Sequence, residues 1–302
     1  MPSFTFVASA NSIVTAGAKP VFVDIEYESC NIDSEKIKKA ITKKTEAIML
    51  VHFAGQSCEM NQIIEIAEKH NLKVIEDSAE CLGGTYNNKK TGSFGIGCFS
   101  FYPTKNITTG EGGMVTTNDS ELAKKIETLK AHGISSSAYE REKKEKPWLR
   151  AATHAGYNFR MCDILAAIGI VQLKKIDKMN ELRRQHAEYL NKNLRDIGEI
   201  ELPVELENCR HVYQMYTIKL EEKLDRTKFI AFLKEKGIGA SVHFDPPVHM
   251  QPYYANLAHD DLEVTENVSR RIVTLPMFPQ LKKEEINFMA GSVEEAVKII
   301  SK

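Results

Sequence analysis

Two residues in this chain have side chains that do chemistry as a pair. Lys105 sits in Tyr102-Pro103-Thr104-Lys105-Asn106, a proline-containing turn. The turn lies between the apolar run Cys98–Phe101 and the short β-prone run Val115-Thr116-Thr117. A primary amine held in such a turn can reach into a site and condense with a carbonyl group. Asp77 stands 28 residues earlier, at the end of Lys73-Val74-Ile75-Glu76-Asp77, which reads as a strand. Its carboxylate falls at the strand's C-terminal end, where open α/β sheets bind ligands. There it can keep a ring nitrogen protonated.

An amine for an aldehyde and a carboxylate for a pyridine nitrogen are what a pyridoxal 5'-phosphate site needs, because the protonated ring then accepts electrons. Taken singly, each residue has an ordinary reading: Lys105 as a surface lysine and Asp77 as a helix cap, since most such side chains are exposed.

The elements around the pair predict the architecture. Residues 4–16 read as a helix stopped at Gly17, and Pro20–Asp24 as a strand. Asp33 can cap a helix with Ile37, Ala40 and Ile41 on one face. Ala47–Val51 is an unbroken apolar strand of the kind buried in a parallel sheet. Met60, Ile63, Ile64 and Ala67 mark the next helix. Alternating strands and helices imply an α/β layer structure with a mainly parallel central sheet flanked by helices. A helix over 119–131, capped by Asp119 or Asn118, precedes the mixed-charge run 140–146, which reads as a solvated loop returning at Trp148. Ile164, Ala167, Ile168 and Val171 form a helical stripe, and a long helix covers about 177–196. Strands over Val212–Leu220 and Ala240–Phe244 and a helix over Arg226–Lys236 then predict a smaller α+β unit. The expected division is a large cofactor-binding domain over 1–180 and a small C-terminal domain over 181–302, which includes the long connecting helix.

Composition narrows the function classes. A net charge of −1 gives no bulk attraction to nucleic acid or an anionic membrane. No apolar run is long enough to span a bilayer, and the N-terminus lacks a signal-peptide pattern. The six cysteines are scattered with no Cys-x-x-Cys pair, which reads as reduced thiols in a cytoplasmic protein, with no metal site.

Longer stretches of text carry a resemblance. Ser100-Phe-Tyr-Pro-Thr-Lys105-Asn-Ile-Thr-Thr-Gly-Glu-Gly-Gly resembles the cofactor-lysine signature of the DegT/DnrJ/EryC1/StrS family of sugar aminotransferases. Glu76-Asp77-Ser78-Ala79-Glu80 resembles that family's aspartate motif. Gly156-Tyr157-Asn158-Phe159-Arg160-Met161, and Val242-His243-Phe244 with Pro247-Val248-His249-Met250-Gln251-Pro252-Tyr253, match further on and in family order.

The resemblance implies a fold-type-I, aspartate-aminotransferase-like dimer that uses pyridoxal phosphate, with its active sites between subunits. It implies transfer of an amino group from glutamate to a nucleotide-linked 4-keto-6-deoxysugar, in cell-surface polysaccharide or glycan biosynthesis. Lys105 would hold the cofactor and later move a proton, and Asp77 would pair with the ring nitrogen. Phe6 falls where the family stacks an aromatic on the ring; by itself it reads equally well as core. Ser100 corresponds to a serine that bonds the cofactor phosphate. Asn158 corresponds to an asparagine that crosses to the partner's phosphate; alone it reads as a turn residue. Glu80 resembles the branch that contains perosamine synthases, against the plainer reading of a solvent-facing glutamate. His243 and His249 have side chains suited to a sugar diphosphate or a partner chain, whereas His52 reads as structural.

Pro2–Asn11 resembles an internal family segment, before which members carry a Gly-Ser/Thr turn that grips the phosphate at a helix N-terminus. An incomplete or regulatory copy is therefore a second expectation, and sugar dehydration on the same scaffold a third. Family dehydratases replace the lysine with histidine, and Lys105 argues against that.

Overall fold

The computed structural model describes residues 1–134, 143, 146, 148–257 and 261–301. The first half alternates as expected. It runs α1 (Val7–Thr15), α2 (Ser34–Ala40), β1 (Ala47–Val51), α3 (Met60–Lys69), β2 (Lys73–Asp77), the short β3 (Thr85–Tyr86) and β4 (Lys89–Lys90), β5 (Ile96–Ser100), β6 (Gly113–Thr116) and α4 (Ser120–Lys130). Local chemistry explains the helix starts. Asp33 accepts from the Glu35 and Lys36 amides at α2, and Asp119 from the Glu121 and Leu122 amides at α4. In α3 the residues Met60, Ile63, Ile66 and Ala67 fall on one face and are buried. They pack against Ile48 and Leu50 of β1 and Val74 of β2.

The central sheet has the order β1-β2-β5-β6. β1, β2 and β5 are parallel, with β6 added antiparallel at one edge. The register aligns Val51 with Asp77 and Asp77 with Cys98, so three strand C-termini share one rim. β3, β4 and the later β8 (Cys209–Arg210) form a small antiparallel sheet of their own.

The second half contains α5 (Asp163–Leu173), α6 (Ile176–Leu194), β7 (Ile200–Glu201), β9 (Tyr216–Leu220), α7 (Arg226–Glu235), α8 (Glu263–Arg271), β10 (Ile272–Leu275) and α9 (Lys283–Ile300). β10, β9 and β7 make an antiparallel sheet, covered by α6, α7 and α9. Leu190, Leu194, Phe229, Leu233, Val293 and Val297 fill that core. Truncating one of these leucines to alanine costs about 2–5 kcal/mol, from lost transfer energy and a residual cavity.

Several expectations are corrected. Pro20–Asp24 forms no strand; Val23 makes one isolated bridge to Pro2 and Ile25 another to Ile32. Pro20 has no N–H to donate, and the Asp24 carboxylate is used elsewhere, capping α8 through the Val264 and Thr265 amides and the Thr265 hydroxyl. Ala240–Phe244 is not a strand either. Ser241 alone pairs with Thr274, and the chain then turns at Pro246-Pro247. The first expected strand of this half begins at Tyr216, four residues later than predicted. None of the residues of α5 is buried, and its stripe residues Ile164, Ile168 and Val171 are exposed. Trp148 does not anchor a loop, being 73% exposed. Most of the mixed-charge run 140–146 lies outside the described residues.

Candidate active site

The rim where β1, β2 and β5 end opens into a cleft of about 870 Å³. Phe6, Asp77, Glu80, Ser100, Lys105 and His243 all line it. Six residues picked out along 238 positions of sequence therefore meet in one cavity.

α1 delivers the first of them. The chain alternates through Phe4, Thr5 and Phe6 just before the helix. Phe4 turns inward, 1% exposed, with its ring 5.1 Å from that of Phe53. Phe6 turns outward into the cleft and is 62% exposed, which rules out the core reading. One turn into α1, the Ser9 hydroxyl donates to Asp77 Oδ2 at 2.7 Å. Ser9 has spent its proton, so the Thr5 hydroxyl is the donor in the 2.9 Å bond between them. The Ala79 amide donates to Asp77 Oδ1 at 3.1 Å. Both oxygens of the carboxylate are thus held.

Lys105 approaches from the turn after β5. Its Nζ lies 3.4 Å from Glu80 Oε1, with the lysine side chain 18% exposed. Glu80 Oε2 accepts from the Ala54 amide at 3.0 Å. Glu80 is buried, contrary to the solvent-facing reading. The Ser100 hydroxyl accepts from the Tyr102 amide at 3.3 Å. His243 Nδ1 bonds the Thr274 hydroxyl at 2.9 Å. Burial lowers the His243 pKa, Glu80 opposes this, and the Lys105 cation adds to the lowering.

Three residues sit elsewhere. Asn158 is exposed outside the cleft, with its Oδ1 accepting from Arg160 Nε at 3.0 Å. His249 is buried against Ser3 and Glu266. His52 is fully buried; its Nδ1 accepts from the Cys58 amide, so its Nε2 donates to Glu76 at 3.1 Å. Burial pushes the Glu76 carboxyl up, but His52 and the Gly92 and Gly95 amides hold it below the usual range. The structural reading of His52 matches this setting.

Thr5, Ser9, Thr104 and Gln214 also line the cleft and were not singled out in the sequence. For Ser9 a signal existed: in the helix expected over residues 4–16 it follows Phe6 by three and would share its face.

The donor set fits pyridoxal phosphate. One cleft presents a primary amine, a carboxylate held at both oxygens, an uncovered aromatic ring and a serine hydroxyl. The comparison with known proteins agrees. The family model of the DegT/DnrJ/EryC1/StrS aminotransferases matches residues 1–294.

The chain belongs to that family.

A GDP-perosamine synthase of Caulobacter vibrioides is 39% identical over 301 residues, covering 98% of this chain and 78% of the relative. The PseC aminotransferase of Helicobacter pylori, involved in pseudoaminic acid biosynthesis, is 31% identical. It superposes with a TM-score of 0.92, covering 99% of this chain and 79% of PseC. The Spr1654 protein of Streptococcus pneumoniae in its PLP form is 26% identical with a TM-score of 0.90, over 99% of this chain and 80% of that one. This family member is a pyridoxal-phosphate-dependent aminotransferase on the fold-type-I scaffold.

Proposed function

We propose that this aminotransferase moves an amino group from glutamate to the 4-keto group of a nucleotide-linked 6-deoxysugar, for cell-surface polysaccharide or glycan assembly in the cytoplasm. The observation that carries the site assignment is that Lys105 and Asp77 face one cleft, each with its polar atoms held by neighbouring groups.

Lys105 Nζ would attach the cofactor, and Asp77 would hold its ring nitrogen in the protonated form. Phe6 would limit the tilt of the ring, and Ser100 would bond its phosphate. When bound, pyridoxal phosphate supplies an electron sink for charge developing at the amino-bearing carbon. Lys105 Nζ, once free and neutral, takes the proton from that carbon and returns it on the other side of the transfer. Glu80 Oε1 keeps the amine from swinging away between these two tasks. His243, fixed through Nδ1 by Thr274, offers Nε2 to the sugar nucleotide.

The cleft's own lining supports a dimer. It carries Asp77, Glu80, Glu111 and Asp245 against Lys105 and His243, too little positive charge for phosphates and a dicarboxylate. We place the division between a large domain and a small one at 180/181. The second copy docks on the apolar face of α5 and contributes Asn158 to its partner's phosphate site.

The test is a glutamate-dependent amination assay over a panel of nucleotide keto-sugars, with products read by mass spectrometry. A 4-amino product that disappears in Lys105→Ala is expected. Amination at C3 would refute the regiochemistry, and an unchanged Lys105→Ala enzyme would refute the site. The incomplete-copy reading would gain from a protein that binds the cofactor but aminates no sugar in the panel.

A further inference from the structure

Lys105 is seated between two ties that reach it from the far half of the chain. On one side, the Gln214 amide Nε2 donates to the Thr104 carbonyl at 2.9 Å. On the other, the Asn106 Nδ2 donates to Asn180 Oδ1 at 2.7 Å, and Asn180 Nδ2 donates in turn to the Leu82 carbonyl at 2.9 Å. Asn106 and Asn180 are each 2% exposed, and Gln214 is 8% exposed. The two ties have a common origin. Asn180 and Arg183 lie three apart on α6 and so share a face. Arg183 Nη1 donates to the Tyr213 carbonyl at 3.1 Å and to the Met277 carbonyl at 2.6 Å, which fixes the segment that carries Gln214. One turn of α6 thus holds the Thr104 carbonyl on one side of Lys105 and the Asn106 side chain on the other.

We propose that Asn180 and Gln214 are positioning residues for Lys105, holding its backbone so that Nζ stays aimed into the cleft whether or not it is bonded to the cofactor. A lysine that must bond, release and then move a proton has no bond to guide it in the released state. Its placement then comes from its backbone and from Glu80. A drift of the Lys105 backbone would carry Nζ with it, and misplacement by about 1 Å can cost about a hundredfold in rate. A purely structural role for these buried amides would instead affect all ligands of the cleft alike. The inference rests on Lys105 being the cofactor lysine.

The test compares two forms of the cofactor on cofactor-stripped protein. Pyridoxal phosphate can link to Lys105 with loss of one water. Pyridoxamine phosphate carries an amine in place of the aldehyde and cannot. Asn180→Ala is expected to weaken pyridoxal phosphate binding about tenfold, the worth of one or two buried hydrogen bonds, and to leave pyridoxamine phosphate binding unchanged. Gln214→Ala removes the other tie and is expected to give the same split, so it decides the matter if Asn180→Ala does not fold. Equal weakening of both cofactor forms, or of neither, overturns the proposal. In the Lys105→Ala control, pyridoxal phosphate bound as tightly as by the native chain would instead overturn the lysine assignment itself.

Discussion

Ser9 and Asp77 are joined by a 2.7 Å hydrogen bond, although 68 residues separate them. The serine comes from the first turns of α1 and the aspartate from the end of β2, so the bond stitches the helix to the rim of the sheet. Behind it stands Thr5, whose hydroxyl donates to the Ser9 oxygen that Asp77 leaves open to it. Ser9→Ala is expected to weaken cofactor binding roughly tenfold, near the low end for a hydrogen bond to a charged group. Ser9→Thr keeps the hydroxyl and should restore binding. In an Asp77→Asn background the same substitution should have little further effect, since two residues acting on one contact are not additive. Absorbance titration with pyridoxal phosphate reads all four proteins.

Glu80 answers to two partners at once, Lys105 Nζ and the Ala54 amide. Ala54 is buried with a φ of +55°, in the left-handed region that a non-glycine residue rarely adopts. Glu80→Ala would leave that amide without its acceptor and is expected to lower stability by about 1–3 kcal/mol. Glu80→Gln keeps an oxygen for Ala54 and should lose much less. Urea unfolding of the cofactor-free proteins measures the difference.

Asn158 lies outside its own chain's cleft, which makes its proposed role testable by mixing. Lys105→Ala and Asn158→Ala proteins are each expected to be inactive or severely impaired. In the proposed dimer, unfolding and refolding the two together would form mixed dimers in which one site has lost both residues and the other has lost neither. Activity should reappear in the mixture. If Asn158 served its own chain, both sites of the mixed dimer would be damaged and no activity would return.

The outer face of α5 gives the proposed dimer a physical address. Ile164 is 74% exposed, Ile168 42% and Val171 51%, an apolar stripe of the sort a lone soluble chain rarely leaves open. Ile168→Glu would place a charge at the centre of that contact. The dimer dissociation constant is expected to rise about ten- to a hundredfold, which analytical ultracentrifugation resolves.

His211 sets an acid limit on the fold. Burial lowers its pKa to about 3, with the nearby Arg184 cation acting in the same direction. Its Nδ1 accepts from the Tyr213 amide at 2.9 Å, a bond that protonation would break. Between pH 6.5 and about 3 the unfolded chain carries a proton here that the native chain does not. Stability from this residue is therefore complete above pH 6.5 and falls as the solution is acidified. The slope is at most about 1.4 kcal/mol per pH unit. His211→Asn keeps an acceptor for Tyr213 and should flatten stability measured by urea unfolding between pH 5 and pH 7.

How much of this could be read from the chain depends on the range of the forces involved. β1, β2 and α3 announce themselves because their apolar spacing matches their own geometry, and Asp33 and Asp119 cap the helices they precede. Lys105 and Asp77 were legible as a pair because strand ends in an open sheet converge on one rim. Pro20–Asp24 misled because its composition is strand-like, while its carboxylate is drawn to a helix some 240 residues away. α5 read as one more core-facing helix from its Ile164, Ala167, Ile168 and Val171 stripe, since local spacing does not say what packs on it. Ser9, Asn180 and Gln214 have no local signature at all. Their significance comes from single hydrogen bonds between segments that only the finished fold brings together.

The bond from Asp24 to the start of α8 also orders events during synthesis. Asp24 follows the stretch that bears Phe6 and Ser9, and its carboxylate accepts from the amides of Val264 and Thr265, which are made some 240 residues later. Contacts of such long sequence separation close late, because the loop entropy must be met before they form. The growing chain therefore carries the Asp24 carboxylate without these partners until Val264 and Thr265 have been made.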